Sequence, residues 1–462
     1  MDRRQIIHVG VAGALVALAG CAARVERSGV PQPRPLGRTL PSVQAQEQPT
    51  AVAPTAVGIE EPTGALVLRE ALALALMHNP RLAAFSWELR AHEAKVLQAG
   101  LRPNPEITVE VENFGGPGTA SGFKAAENTL WLSQLIELGG KRTKRREVAE
   151  FERAVAGWDY ETARIDTFTE AVLAFVEVLS AQERKALSEE LVRVSERALS
   201  TVSVQVKAGA VSAVEKSRAE VALASSQVEL ARRARELESA RRRLAASWGS
   251  TTATFSRVAG SLGEAIEPPP SEGALLRQVD DNPDLARWAA EMSARRALIA
   301  LEESRRIPNV TLGGGQRWLS ETNDNAFVLE LSVPLPLFDR NQGRALEARQ
   351  RLAKASEERR AAEVSVRTAL SAAYQSLAAT YDAVVTLDGH VLPKAQDAFD
   401  GVTSAYRRGV FRYLDVLDAQ RTLFSLRSEY LDSLAAYHAA VARVERLVGR
   451  PLEEIRDEDR RS

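Results

Sequence analysis

The sequence predicts a mainly α-helical protein with a small β part, built from two copies of a helix–strand–strand–helix unit. Three observations predict it. Landmark residues recur at a nearly fixed offset. No proline occurs between Pro117 and Pro268, which leaves room for very long helices. Short segments on either side of the midpoint alternate strictly between apolar and polar residues, the period of a strand.

Taken in order, residues 1–20 read as a signal peptide. Arg3 and Arg4 form a basic start, and Ile6 to Ala19 is an apolar stretch too short to span a membrane comfortably. It closes on Leu18-Ala19-Gly20-Cys21, which resembles the lipobox of bacterial lipoproteins. That resemblance implies cleavage before Cys21, a covalent lipid on it and, because Ala22 follows and not aspartate, an outer-membrane destination. Residues 21–65 then read as a lipid-anchored tether, extended or disordered. Pro31, Pro33, Pro35, Pro41, Pro49, Pro54 and Pro62 leave no helical or alternating pattern intact.

The first repeat is expected over 66–250 and the second over 272–450, with a linker at 251–271 and a polar tail at 451–462. Asn79-Pro80 recurs as Asn282-Pro283, Pro103-Asn104 as Pro308-Asn309, and Val206-Lys-Ala-Gly209 as Tyr406-Arg-Arg-Gly409. Gly249 recurs as Gly449, and the drift between offsets falls in a segment that reads as a loop, 113–126. Each opening helix must end before its proline, Pro103 or Pro308. Strands are expected at about 105–112 and 128–137, then 309–318 and 325–334. In the first, Val109 and Val111 oppose Glu110 and Glu112, a pattern that suits a wall with lipid outside and water inside.

Long helices are expected over 141–206 and 212–247, then 340–406 and 411–448. At 1.5 Å per residue the first would be about 100 Å long. Its apolar residues fall mostly three and four apart, and Val214, Val221 and Val228 are seven apart, as in helices wound about one another. Lateral packing of that kind buries Ala, Val and Leu, in keeping with an aromatic content of only 5%.

Composition excludes several functions. With 60 Lys+Arg against 61 Asp+Glu the net charge is −1, unlike a dedicated nucleic-acid binder. A single cysteine rules out an intrachain disulfide framework or a multi-thiolate zinc site. His78 and His92 lie about 21 Å apart along a helix, too far to share an ion. No catalytic constellation, metal site or cofactor site is expected, the only attached group being the lipid on Cys21.

The duplicated plan, together with Gln134-Leu-Ile-Glu-Leu-Gly-Gly-Lys-Arg142, Val333-Pro-Leu-Pro-Leu-Phe-Asp-Arg-Asn-Gln-Gly343 and Tyr413-Leu-Asp-Val-Leu-Asp-Ala-Gln-Arg421, resembles TolC-like outer-membrane efflux proteins. The Ile-Glu-Leu-Gly-Gly-Lys-Arg run is most similar to outer-membrane subunits of cobalt–zinc–cadmium and copper–silver efflux systems. The resemblance covers about 66–450, and departs from the subfamily at Leu135, where proline is common. It implies a homotrimer whose chains each give four strands to one 12-stranded outer-membrane barrel, continued by a long periplasmic α-helical barrel. It also implies a periplasmic adaptor and an inner-membrane pump of the resistance-nodulation-division type as partners, with heavy-metal cations as cargo of a passive conduit.

Gly209 and Gly409 are expected at hairpin tips, where glycine allows the reversal, and the resemblance makes these the adaptor-docking surface. It maps a periplasmic gate onto Tyr406, Asp415 and Asp418. Asp415 and Asp418 are three apart on one helical face and would give a ring of carboxylates in a trimer. The plainer reading of Asp415 is a first-turn carboxylate that favours the helix dipole. Phe411 stands where the family often has a gate arginine. The first repeat has Glu215 and Arg218 at the matching positions, expected to compensate one another. The competing classes are a lipid-tethered periplasmic adaptor or coiled-coil scaffold, and a protein-secretion channel of the same fold.

Overall fold

The computed structural model describes residues 31–44 and 61–460. Cys21 and the signal peptide lie outside the described residues. The chain runs β1 (Gly64–Leu66), α1 (Leu68–His78), α2 (Pro80–Ala99), β2 (Glu106–Glu112), β3 (Glu127–Ile136), α3 (Lys141–Lys207) and α4 (Ala213–Ala246). It continues with β4 (Phe255–Val258), α5 (Glu272–Arg277), α6 (Pro283–Ser304), β5 (Val310–Leu319), β6 (Asp324–Ser332), α7 (Gln342–Thr386), α8 (Leu392–Arg407), α9 (Tyr413–Val448) and α10 (Leu452–Asp459).

The helix α3 is unbroken over 67 residues, beginning after Gly140 in the left-handed region. Its counterpart, expected over 340–406, is helical from Gln342 to Arg407 but not α-helical throughout. Pro393 has no N–H to donate, and the chain accommodates it with one π-helical turn, Leu387–Val391, that separates α7 from α8. The helix expected from 411 begins at Tyr413.

The strands β2–β3–β5–β6 form one antiparallel sheet in that order, with β2 and β6 as its edges. At the opposite end of the long helices, α3–α4 and α8–α9 turn back at Gly209 and Gly409. The main core sits between these ends, where Trp248, Phe255, Leu244, Leu275 and Val444 are fully buried.

This midsection corrects three expectations. The 251–271 linker contains β4, which pairs in parallel with β1. The tail is not merely polar, because α10 buries Leu452 and Ile455 against the core. The tether is not free along its length. Leu36 is buried and donates its N–H to Gly449 O, Arg34 N donates to Glu161 Oε1 at 2.6 Å, and Tyr160 donates to Val43 O at 2.5 Å.

The recurring Asn-Pro and Gly landmarks meet in space. Asn79 accepts from Leu82 N to cap α2 and donates to Ser247 O at 2.9 Å, just past α4. Asn282 accepts from Asp284 N to cap α6 and donates to Leu447 O at 2.6 Å, at the end of α9. Each asparagine thus closes one helix start onto one helix end.

Candidate functional site

The sheet has two unlike faces. Register places Ile107, Val109, Leu130, Leu132, Leu312, Phe327, Leu329 and Leu331 on one side. All are exposed on the single chain, Phe327 by 91% and Leu329 by 89%. Apolar side chains exposed to that degree in a contiguous band require an apolar solvent or a partner.

The other face carries Glu110, Glu112, Glu127, Thr129, Arg317 and Glu330. Arg317 binds Glu127 at 2.8 Å, Glu112 at 3.6 Å and Thr129 Oγ1 at 3.0 Å, tying three strands across the polar side. Gly315 opposes Trp131, and any Cβ there would lie within 2.5 Å of the Trp131 Cβ. The glycine run therefore makes room for an indole on the polar face.

Below the sheet, the Gly-Gly-Lys-Arg run builds the joint to the helices. Gly139 has φ 72°, and a Cβ on it would press against Ser304 O and Ile307. Lys141, nearly buried, donates to Ile307 O and Asn309 Oδ1, both at 2.5 Å, so the start of α3 is fastened to the approach of β5. Burial holds its ammonium below the usual lysine range. Glu137 is hydrogen-bonded by Arg145 at 2.6 Å, which holds its carboxyl below the ordinary value. Arg145 also donates to Ala99 O and Leu101 O, joining the end of α2. In the second repeat Asn341 plays the corresponding part, donating to Glu302 O at 2.8 Å.

At the far end, Gly209 (φ 71°) and Gly409 (φ 78°) both occupy the left-handed region that the reversals need. The two hairpins meet in one small cluster of Val202, Ala219, Tyr406, Tyr413, Val416 and Leu417. The Tyr406 hydroxyl donates to Gln205 Oε1 at 2.5 Å, and its ring lies 5.9 Å from that of Tyr413. Burial pushes the Tyr413 phenol up to about 12, with Tyr406 and Glu215 adding to the shift.

Asp415 and Asp418 are both exposed. Asp415 Oδ2 accepts from Arg412 N at 2.9 Å, so it serves as the first-turn cap of α9 whatever else it does. Glu215 forms no ion pair with Arg218 among the described residues; it faces the tyrosine pair, and its Oε2 is buried without a hydrogen-bond partner. The expected self-compensation is thus absent among the described residues.

Sequence reasoning missed Arg317, Gln205 and Tyr413 as structural contacts. Only Arg317 carried a signal, a lone cation opposite glutamates in an alternating segment. Among the described residues no group of three or more His, Cys, Asp or Glu side chains could hold a metal ion. None of their helices is long and apolar enough to cross a membrane.

A two-faced sheet at one end of helices of this length defines the wall of an outer-membrane channel that extends into the periplasm. The family described as "Outer membrane efflux protein" matches residues 71–250 and 277–450, one match to each repeat. The chain belongs to that family. The cobalt-zinc-cadmium resistance protein CzcC of Cupriavidus metallidurans is 34% identical over 420 residues, 90% of this chain and 99% of that protein. The nickel and cobalt resistance protein CnrC of the same organism is 34% identical over 296 residues, 64% of this chain and 69% of that one. A solved structure of CusC superposes with a TM-score of 0.71 at 18% identity, covering 89% of this chain and 99% of that chain. The outer membrane protein VceC of Vibrio cholerae superposes with a TM-score of 0.68 at 18% identity, covering 83% and 96%.

Proposed function

We propose that the protein is the passive, non-enzymatic channel subunit of a tripartite efflux system and works as a homotrimer that exports heavy-metal cations. The observation that carries the assembly is the open sheet. Both β2 and β6 present unpaired edges, and a membrane tolerates strands only in a closed barrel. Three four-stranded sheets would give twelve strands. The seven-residue stripe Val214, Val221 and Val228 supports lateral assembly too. It stands exposed on the single chain, while Ala219, Ser226 and Leu244 of the same helix are buried.

The metal-cation cargo rests on the identity to CzcC over nearly the whole of both chains. In this reading a periplasmic adaptor docks at the tips around Gly209 and Gly409, and an inner-membrane pump supplies the energy. Tyr406, Asp415 and Asp418 form the periplasmic gate, with the exposed aspartates attracting cations to its mouth. Cys21 carries the lipid that adds a second hold on the outer membrane.

Planar-bilayer recording from the purified protein tests the central claim. A trimer with stepwise conductance supports it, and a monomer in detergent or a silent bilayer overturns it. Deletion of the gene should lower tolerance to cobalt, zinc or cadmium salts, and unchanged tolerance to all of them would remove the cargo assignment. Palmitate labelling that disappears in Cys21→Ser tests the anchor.

A further inference from the structure

The apolar face of β6 does not end where its hydrogen bonds end. Pairing with β5 stops at Ser332, yet every second residue from Phe327 is apolar through Leu337: Phe327, Leu329, Leu331, Val333, Leu335, Leu337. Phe338 follows. Leu335 is 76% exposed, Leu337 65% and Phe338 91%, in a segment with no strand partner. The residues between them are Pro334 and Pro336.

Those prolines decide what can cover the segment. A strand of a second copy that paired through positions 334 and 336 would find no N–H donor there, because both are proline. The same lack removes two donors, and Leu337 N–H donates to Leu335 O, so the backbone can follow the headgroup boundary while its side chains reach into the acyl chains. The first repeat does the opposite. Its exit from β3 is only four residues long, Glu137 to Gly140, and Arg145 ties it down.

Length agrees with lipid. At about 3.3 Å per residue and a tilt of about 40°, the outward apolar stretch of the paired strand, Phe327–Leu331, covers only about 10 Å of membrane depth, well short of the ~25 Å apolar band of such barrels. Extending the pattern to Leu335 brings this to about 20 Å, and the bend at Leu337 and Phe338 takes it further. Asp339 and Arg340 then return the chain to water.

We propose that Val333–Phe338 is a lipid-contacting strap in which Leu335, Leu337 and Phe338 lie among the acyl chains of the periplasmic leaflet of the outer membrane. The inference rests on the sheet being a membrane barrel, and its test separates the two. Nitroxide labels are placed at Phe327→Cys, Leu335→Cys, Phe338→Cys and, in the periplasmic part, Ser404→Cys, in a Cys21→Ser background. The protein is reconstituted in phosphatidylethanolamine–phosphatidylglycerol vesicles, and collision with oxygen is compared with collision with a nickel chelate. The oxygen-to-nickel ratio at 335 and 338 should match that at 327 and exceed that at 404 several-fold. Ready collision of nickel with 335 and 338 while 327 remains protected means water and overturns the strap. Low collision with both reagents at 335 and 338 means protein cover by a second copy and also overturns it. Nickel access at 327 itself would overturn the barrel reading beneath it.

Discussion

Tyr406 of α8 donates its hydroxyl to Gln205 of α3 at 2.5 Å, joining residues 201 positions apart and linking the two hairpins just above their tips. Around that bond the hairpins share one apolar cluster, so they move together unless it breaks. Tyr406→Phe should therefore cost about 1 kcal/mol of contact between hairpins and lengthen the open time of single channels. Gln205→Leu should do the same, and the double variant should add nothing further. Additive effects in the double-mutant cycle would show that the two residues act separately.

The two aspartates at the mouth can be separated by chemistry. Asp415→Asn keeps a side-chain oxygen to accept from Arg412 N, whereas Asp415→Ala removes the cap and should cost about 1 kcal/mol in thermal melts. The double variant Asp415→Asn, Asp418→Asn should lower cation selectivity in reversal-potential measurements with little change in melting. Unchanged selectivity would take both residues out of the gate.

The matched asparagines predict matched losses. Asn79→Ala and Asn282→Ala each remove one helix cap and one bond to a distant carbonyl. Each should destabilise by about 1–2 kcal/mol, and because the sites belong to different repeats the double variant should be close to the sum. A loss confined to one of the two would mean the repeats do not contribute equally to the midsection.

Glu445 gives a pH dependence of definite sign. It is half-buried, and its carboxylate accepts from Leu452 N at 2.9 Å at the start of α10. Burial is the main cause that raises its pKa to about 7, only partly opposed by the bond to Leu452 and by Arg456. A carboxyl whose folded pKa lies above its unfolded value favours the folded state most at low pH. That advantage is lost as pH rises from about 4.5 through about 7. Glu445→Gln keeps an acceptor without the charge, so it should raise the melting temperature at pH 8 and leave it nearly unchanged at pH 4. A variant that melts lower at pH 8 would contradict this assignment.

The sequence made the duplicated plan legible because Asn-Pro and Gly each do one local job, capping or reversing, that leaves a mark at fixed positions. The strands were legible for the same reason, since the two-residue period of Val109 to Glu112 is written in the chain itself. What escaped was non-local. Tyr160 of α3 donates to Val43 O of the tether, and Leu36 N of the tether donates to Gly449 O; nothing in a proline-rich composition foretells those contacts. The π-helical turn before Pro393 has its cause in the proline itself, which a helix expected over 340–406 passed over. Among the described residues Glu215 forms no ion pair with Arg218 three residues away, which local spacing cannot reveal.

The unlike build of the two long segments gives the repeats unlike mechanics. The first, α3, is one continuous strut from the membrane joint at Lys141 to the tip at Gly209. The second carries a joint at Leu387–Val391, where the hydrogen-bond ladder changes its step. Because one apolar cluster joins the tips, any bending between tip and sheet is expected to concentrate at that turn. The duplicated chain thus pairs an uninterrupted rod with one that carries a single change of helical step, the two tied together at their tips.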